Sequence, residues 1–169
     1  LPLAGCAEAA TSAPTSSPPT PTPVFASDEE ALAAATAAYA NYLKLSSVVA
    51  HDGGADARRM SDVSTGEALE TEIRSLEGMA EAGTVGVGEL SYDKFTMQSA
   101  ELSSGSLTAY VCLDVSATDV LDISGESVLS DSRVDRLPLE VAFAFDKDDQ
   151  QLLVERTRIW DGDNFCSSP

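Results

Sequence analysis

Three cysteines, one histidine and 28 acidic side chains carry the reactive or ligating chemistry this 169-residue sequence can offer. A zinc site needs three or four histidine, cysteine or carboxylate ligands. His51 has no such partner at ligand spacing and sits beside Gly53-Gly54, so it reads as an exposed turn residue. The run Asp146-Lys147-Asp148-Asp149 lacks the glycine and the distal glutamate of a calcium loop. Asp161-Gly162-Asp163-Asn164 could offer oxygens to calcium, yet its composition is that of a plain turn. The sequence has no phosphate-cradling glycine motif and no nucleophile elbow. Nothing in it places His51 near Cys112 or Cys166, as a cysteine–histidine nucleophile would require. The residues alone therefore assign no metal, no cofactor and no catalytic group.

Charge narrows the partners. Ten basic against 28 acidic side chains give a net charge of −18, which keeps a chain soluble and repels other polyanions. Nucleic-acid binding rests on lysine and arginine neutralising phosphates, and Arg58, Arg59 and Arg74 are outnumbered locally by acids, so no nucleic-acid partner is expected. No apolar run approaches the ~20 residues that span a bilayer.

Leu3-Ala4-Gly5-Cys6 resembles the lipobox of bacterial lipoproteins. In that class the cysteine thiol receives a diacylglyceryl group and a signal peptidase cuts just before it. The resemblance implies that residues 1–5 are the remnant of an export signal. Cys6 then carries lipid and is the membrane contact, holding the protein at the outer face of the bacterial cytoplasmic membrane. The other reading of Cys6 is an incidental thiol. Residues 7–26 are alanine, serine, threonine and proline with Glu8 as the only charge. That composition cannot bury enough apolar surface to offset the entropy of ordering. Residues 6–26 are accordingly expected to form a lipid-anchored spacer, and about twenty residues biased to polyproline II would reach at most ~60 Å.

The folded part is expected over residues 27–169. Ser27 and Glu30 have capping-box spacing, and the alanine-rich stretch that follows predicts a helix over 28–45. Leu32, Ala35, Tyr39, Tyr42 and Leu43 fall on one side of it. Residues 46–55 read mostly as a helix end and a turn, and 56–63 as a short helix. Ser64 and Glu67 repeat the capping spacing. A third helix then carries Leu69, Ile73, Leu76 and Ala80 on its apolar side and stops at Gly83. After Thr84 the period becomes twofold. Residues 85–99 read as a strand with glycine irregularities. Leu107, Ala109, Val111, Leu113 and Val115 alternate with Thr108, Tyr110, Cys112, Asp114 and Ser116. Leu137, Leu139, Val141, Phe143 and Phe145 recur at every second position in the same way, and residues 152–160 form the last strand. Residues 119–135 read as a loop with a turn at Ser124-Gly125. Helices followed by consecutive antiparallel strands give an α+β domain, with N-terminal helices packed on a curved antiparallel sheet of about four strands.

This order resembles the cone-shaped family of nuclear transport factor 2, with the cystatin-like arrangement a near neighbour. That family includes polyketide cyclases, ketosteroid isomerase and many actinobacterial lipoproteins. The segment Val111-Cys112-Leu113-Asp114-Val115-Ser116, with the late Cys166, looks like those lipoproteins in particular. With Cys6 given to lipid, the resemblance implies an extracytoplasmic disulfide between Cys112 and Cys166; two buried free thiols are the other reading.

For function, the cone implies first a non-catalytic domain that binds a small apolar molecule or lipid, with Tyr39, Leu43, Phe143 and Phe145 lining the pocket. A second reading is a structural module docking an envelope protein. A third is an isomerase- or dehydratase-like enzyme using Asp114 and Tyr110. The alternation argues against that third reading, because it puts Leu107, Val111, Leu113 and Val115 on the core side and turns Asp114 outward.

Overall fold

Ser27 opens the first helix as expected. In the computed structural model, which describes residues 22–167, its Oγ accepts from the Glu30 N–H at 3.2 Å. The Glu30 carboxylate reaches back one residue further than in a capping box, accepting from the Ala26 N–H at 2.7 Å. The remnant 1–5, Cys6 and the spacer residues 7–21 lie outside the described residues.

Helix α1 spans Asp28–His51, six residues beyond its predicted end at Leu45. The extension is held by burial: Ser46, Ser47 and Val49 lie against the domain, and the Ser47 Oγ accepts from the Leu90 N–H at 3.4 Å. His51 thus ends a helix rather than occupying a turn. The stop comes at Gly53-Gly54, where the Gly54 N–H donates to the Val49 carbonyl at 2.8 Å. At Gly54, φ is +78° and an added Cβ would lie 1.9 Å from the Leu76 carbonyl oxygen, so only glycine fits there.

A 3-10 helix, Ala57–Asp62, follows. Helix α2, Gly66–Ala82, is capped at Thr65 rather than at Ser64. Two backbone bonds explain the shift. The Val154 N–H donates to the Val63 carbonyl at 3.1 Å and the Thr65 N–H to the Val154 carbonyl at 2.9 Å. This pulls Ser64 into a strand-like bridge, and its hydroxyl donates instead to the Met60 carbonyl at 2.7 Å.

The predicted strand over 85–99 is two strands, β1 (Val85–Val87) and β2 (Ser91–Glu101). The break falls at Gly88, whose φ is +79° and whose added Cβ would sit 1.9 Å from the Ala117 carbonyl oxygen. Strand β3 is Ser106–Asp114 and β4 is Asp119–Leu121, a strand within the segment expected to be loop. Strands β5 and β6 are Arg136–Asp146 and Gln151–Ile159. The main sheet is antiparallel in the order β2-β3-β5-β6, and β1 pairs with β4 in a separate two-stranded sheet.

The domain is therefore α+β, with helices packed on a four-stranded antiparallel sheet. Leu107, Ala109 and Val111 of β3, Leu139, Val141 and Phe143 of β5, and Leu152 and Val154 of β6 are buried on the helix side. The twofold alternation of the sequence is thus realised in β3 and β5, with Leu113 and Phe145 half-buried at the margins. The outer face of β3 carries Tyr110, Cys112 and Asp114. The edge strand β2 has two register irregularities and Lys94 at φ +51°. Bulges of this kind interrupt the ladder that an incoming strand would need.

Candidate functional site

The space between α1 and the sheet is where a cone would hold a ligand. Tyr39 and Phe143 are fully buried there, and Leu43 is 4% exposed. The Tyr39 ring packs against Tyr92 at 5.1 Å between centroids, edge to face, and against Tyr42 and Phe95 at 6.1 and 6.0 Å. Phe95 in turn meets Phe143 at 6.3 Å. Tyr39 and Phe143 thus belong to an aromatic cluster, and Leu43 is a buried core residue. Phe145 stands apart at the end of β5, where it packs edge to face on Phe25 at 6.0 Å.

At the margin of this cluster lies a polar group that the sequence reading passed over. Glu72 of α2 accepts from the Tyr42 hydroxyl at 3.1 Å and from the Ser46 hydroxyl. The Tyr39 hydroxyl is buried with no hydrogen-bond partner among the described residues. Burial, and then the nearby Glu72 carboxylate, push the Tyr42 phenol far above its usual range; burial does the same to Tyr39. The shift strengthens the preference of both phenols for the neutral form, and the Tyr42 hydroxyl donates its hydrogen bond to Glu72. A signal for Glu72 existed: it falls beside Leu69, Ile73 and Leu76 at helical spacing, a carboxylate flanking an apolar stripe.

The residues weighed for catalysis lie on the opposite face. Asp114 pairs with Arg136 at 2.9 Å and accepts from the Ser116 hydroxyl and N–H at 2.6 and 2.9 Å. The Ser116 bonds, then Arg136, hold its carboxyl below the usual range. Arg136 also grips Asp93 at 2.7 Å. Tyr110 is covered by Trp160 and Phe165, with ring centroids 5.0 and 6.0 Å away. The sheet separates both residues from the aromatic cluster, as the outward reading of Asp114 anticipates.

Cys112 and Cys166 are joined by a disulfide, with their Cα atoms 5.5 Å apart. Both are buried, and the bond fastens the C-terminal segment across the outer face of β3. The Cys166 carbonyl also accepts from Arg136 Nε at 3.3 Å, and the Phe165 carbonyl from Lys94 Nζ at 3.1 Å.

The remaining clefts are surface features. One of about 140 Å³ opens between the last turn of α1, α2, β1 and β4, lined by Ala50, His51, Met79, Gly86, Leu90 and Val120 among others. His51 Nε2 lies 2.7 Å from the Gly88 carbonyl oxygen and so carries the proton that it donates. Phe145 borders a second cleft of about 250 Å³ with Phe25 and Leu152. Leu43 borders a third of about 300 Å³ with Lys44 and Tyr92. A further, polar depression lies between Asp119 and Asp135.

Among the described residues, no group of three or more histidine, cysteine or acidic side chains is placed to hold a metal, and no helix is long and apolar enough to cross a membrane. No protein-family model matches the chain, and no curated protein matches it. Among solved structures, the chain is similar to the intermembrane space region of the chloroplast protein ARC6. The identity is 16% and the TM-score 0.44, with 75% of this chain and 95% of that one covered.

Proposed function

We propose that this chain is a non-catalytic docking module of the bacterial cell surface, a lipoprotein anchored through Cys6 and carrying a cone-like α+β domain that binds another envelope protein. The observation that carries this reading is the close packing of the side chains that would line a ligand chamber. Tyr39, Phe143 and Leu43 are buried against other side chains. The clefts of about 140–300 Å³ are open depressions on the outside. Sites for small molecules usually enclose roughly 300–1,000 Å³ and bury most of the ligand. With those side chains packed into its core, a domain of this kind works through its surface. The disulfide supports the location, since such bonds persist outside the cytoplasm.

The test is native mass spectrometry of the protein purified from its host membranes in mild detergent. The expected mass is that of a polypeptide beginning at Cys6 plus covalent diacylglyceryl and acyl groups, with nothing else bound. A stoichiometric non-covalent metabolite or lipid that leaves on collisional activation would overturn the docking reading in favour of a small-molecule binder. An unmodified Cys6 would overturn the anchor.

A further inference from the structure

Resting on the docking reading, the geometry points to the small β1–β4 sheet and the cleft beneath it as the docking face, and to a protein segment presenting one apolar side chain between lysines or arginines as its occupant. Three observations converge on this end of the domain.

The first is shape. The cleft of about 140 Å³ has a mainly apolar lining and is open to solvent on one side. A void of ~150 Å³ accommodates a benzene-sized group, so the space fits one aromatic or branched side chain and is too small for a typical metabolite. At its edge Gly86 lets β1 pass close against α1. An added Cβ on Gly86 would lie 2.8 Å from the Ala50 Cβ.

The second is exposed apolar surface around it. Val85 and Val87 of β1 are each 38% exposed, and Val128 and Ile123 of the adjoining hairpin are 52% and 100% exposed. The hairpin extends the small sheet, since the Val128 N–H donates to the Val120 carbonyl at 2.9 Å. Apolar side chains gathered on a small exposed sheet are a recognised mark of an interaction surface.

The third is charge. Residues 79–92 and 117–132, which supply both strands and the hairpin, carry Glu81, Glu89, Asp119, Asp122, Glu126 and Asp131 and no lysine or arginine. The cations at this end are fewer than the acids: Lys44 borders a cleft with Glu89, and Arg133 stands beside Asp119. Arg133 donates to the Val115 and Thr118 carbonyls at 3.1 and 3.0 Å, and Arg59 pairs with Asp52 at 3.8 Å. Hydroxyl bonds from Ser127 and Ser124 hold Asp119 and Asp122 below the usual carboxylate range, so both stay charged. Complementary potential then selects a basic partner and repels anionic lipid or a second copy of this acidic chain.

The test titrates the isotope-labelled 169-residue chain with three blocked hexapeptides: Lys-Lys-Leu-Phe-Lys-Lys, Lys-Lys-Ala-Ala-Lys-Lys and Glu-Glu-Leu-Phe-Glu-Glu. Amide shifts are followed by NMR. The first peptide is expected to move the amides of Ala50, Val87, Gly88, Leu90 and Val120, with the other two binding at least tenfold more weakly. The variant Glu81→Lys/Glu89→Lys/Glu126→Lys, altering only exposed side chains, should keep the parent's melting temperature and lose about tenfold in affinity for the first peptide. Equal binding of the alanine peptide, no shift at millimolar peptide, or unchanged affinity in the triple variant would overturn the assignment. Shifts centred on the outer face of β3 would overturn this site yet leave the docking reading standing, whereas a co-purified metabolite in the native mass spectrum removes that reading itself.

Discussion

Removing the Cys112–Cys166 disulfide tests how much of the domain's stability comes from covalent constraint. The bond closes a loop of 54 residues in sequence separation. In the chain-entropy treatment, a loop of that length removes ~14 cal/mol/K from the unfolded ensemble, or ~4 kcal/mol at 25 °C. A domain's entire stability is typically ~5–15 kcal/mol, so the bond supplies a sizeable share. For a chain of this size each kcal/mol moves the melting temperature by roughly 2–4 °C. The double variant Cys112→Ala/Cys166→Ala is therefore expected to melt on the order of 10 °C lower. Alanine is chosen because Cys112 is buried beneath the C-terminal segment and a serine hydroxyl there would add a desolvation cost of its own. The folded state should keep its shape, because Trp160, Phe165 and the Arg136 bond to the Cys166 carbonyl still hold that segment on Tyr110. The assay is paired urea and thermal unfolding followed by circular dichroism. Its second signature is a steeper urea dependence in the variant, since the unlinked chain exposes more surface on unfolding. A loss of less than ~1 kcal/mol, with the urea slope unchanged, would refute the reasoning.

Two further perturbations probe groups whose roles the geometry defines. Glu72→Ala leaves the Tyr42 and Ser46 hydroxyls without their acceptor, which should cost ~1–3 kcal/mol in urea unfolding. Glu72→Gln, which keeps an acceptor oxygen, should recover most of that; equal losses in both variants would show that the carboxylate's charge, not its hydrogen bonds, matters. At Asp114, the Ser116 bonds and Arg136 lower the folded-state pKa below the unfolded value, so the folded chain resists protonation. The stabilisation is fully present above the ordinary carboxylate pKa of ~3.9 and is lost as the pH falls through the lower folded value. The melting-temperature gap between parent and Asp114→Asn should be constant from about pH 5 to 7 and close below about pH 4. A gap independent of pH would contradict this.

What the sequence made legible follows the strength of its periodicities. The alternation of β3 and β5 selects the faces that pack on the helices, while Cys112, Pro138 and Ala142 on the other face are buried too. Asp114 turns outward for the same reason. Ser27 is read correctly as a cap because its side chain faces only its own helix. Ser64 is not, because the bonds that decide its fate come from Val154, ninety residues away in sequence. The end of α1 was missed on similar grounds. Ser46-Ser47-Val48-Val49 has weak helix propensity, and it stays helical because Leu90, Glu72 and Gly86 pack against that turn. Gly88 was visible as an irregularity, but its consequence, a second small sheet, depends on Ala117 approaching from across the chain. The predicted pocket lining shows the same limit. Tyr39, Leu43 and Phe143 carry the composition of a binding chamber, and the ring contacts of Tyr39 and Phe143 with Tyr92 and Phe95 are set by a bulged edge strand that the sequence does not reveal.

The placement of the tether bears on what the acidic end can meet. The described chain enters the domain at Phe25, whose N–H donates to the Leu102 carbonyl at 3.1 Å and whose ring lies on Phe145. That is the start of α1, while the cleft at Ala50 and Gly86 lies at its far end. A 24-residue helix at 1.5 Å per residue is ~36 Å long. The point where the described chain enters the domain and the docking face are thus separated by about the length of α1. That length matches or exceeds the ~30 Å hydrocarbon thickness of a bilayer. It also exceeds the ~8 Å over which an anionic membrane surface is felt at physiological salt. A negative charge held beside Phe25 would thus be screened from the acidic end. The same separation predicts that anchoring the acidic end directly, by circular permutation with the spacer removed, would weaken binding of the basic peptide on anionic vesicles relative to detergent; equal affinity in both would contradict it.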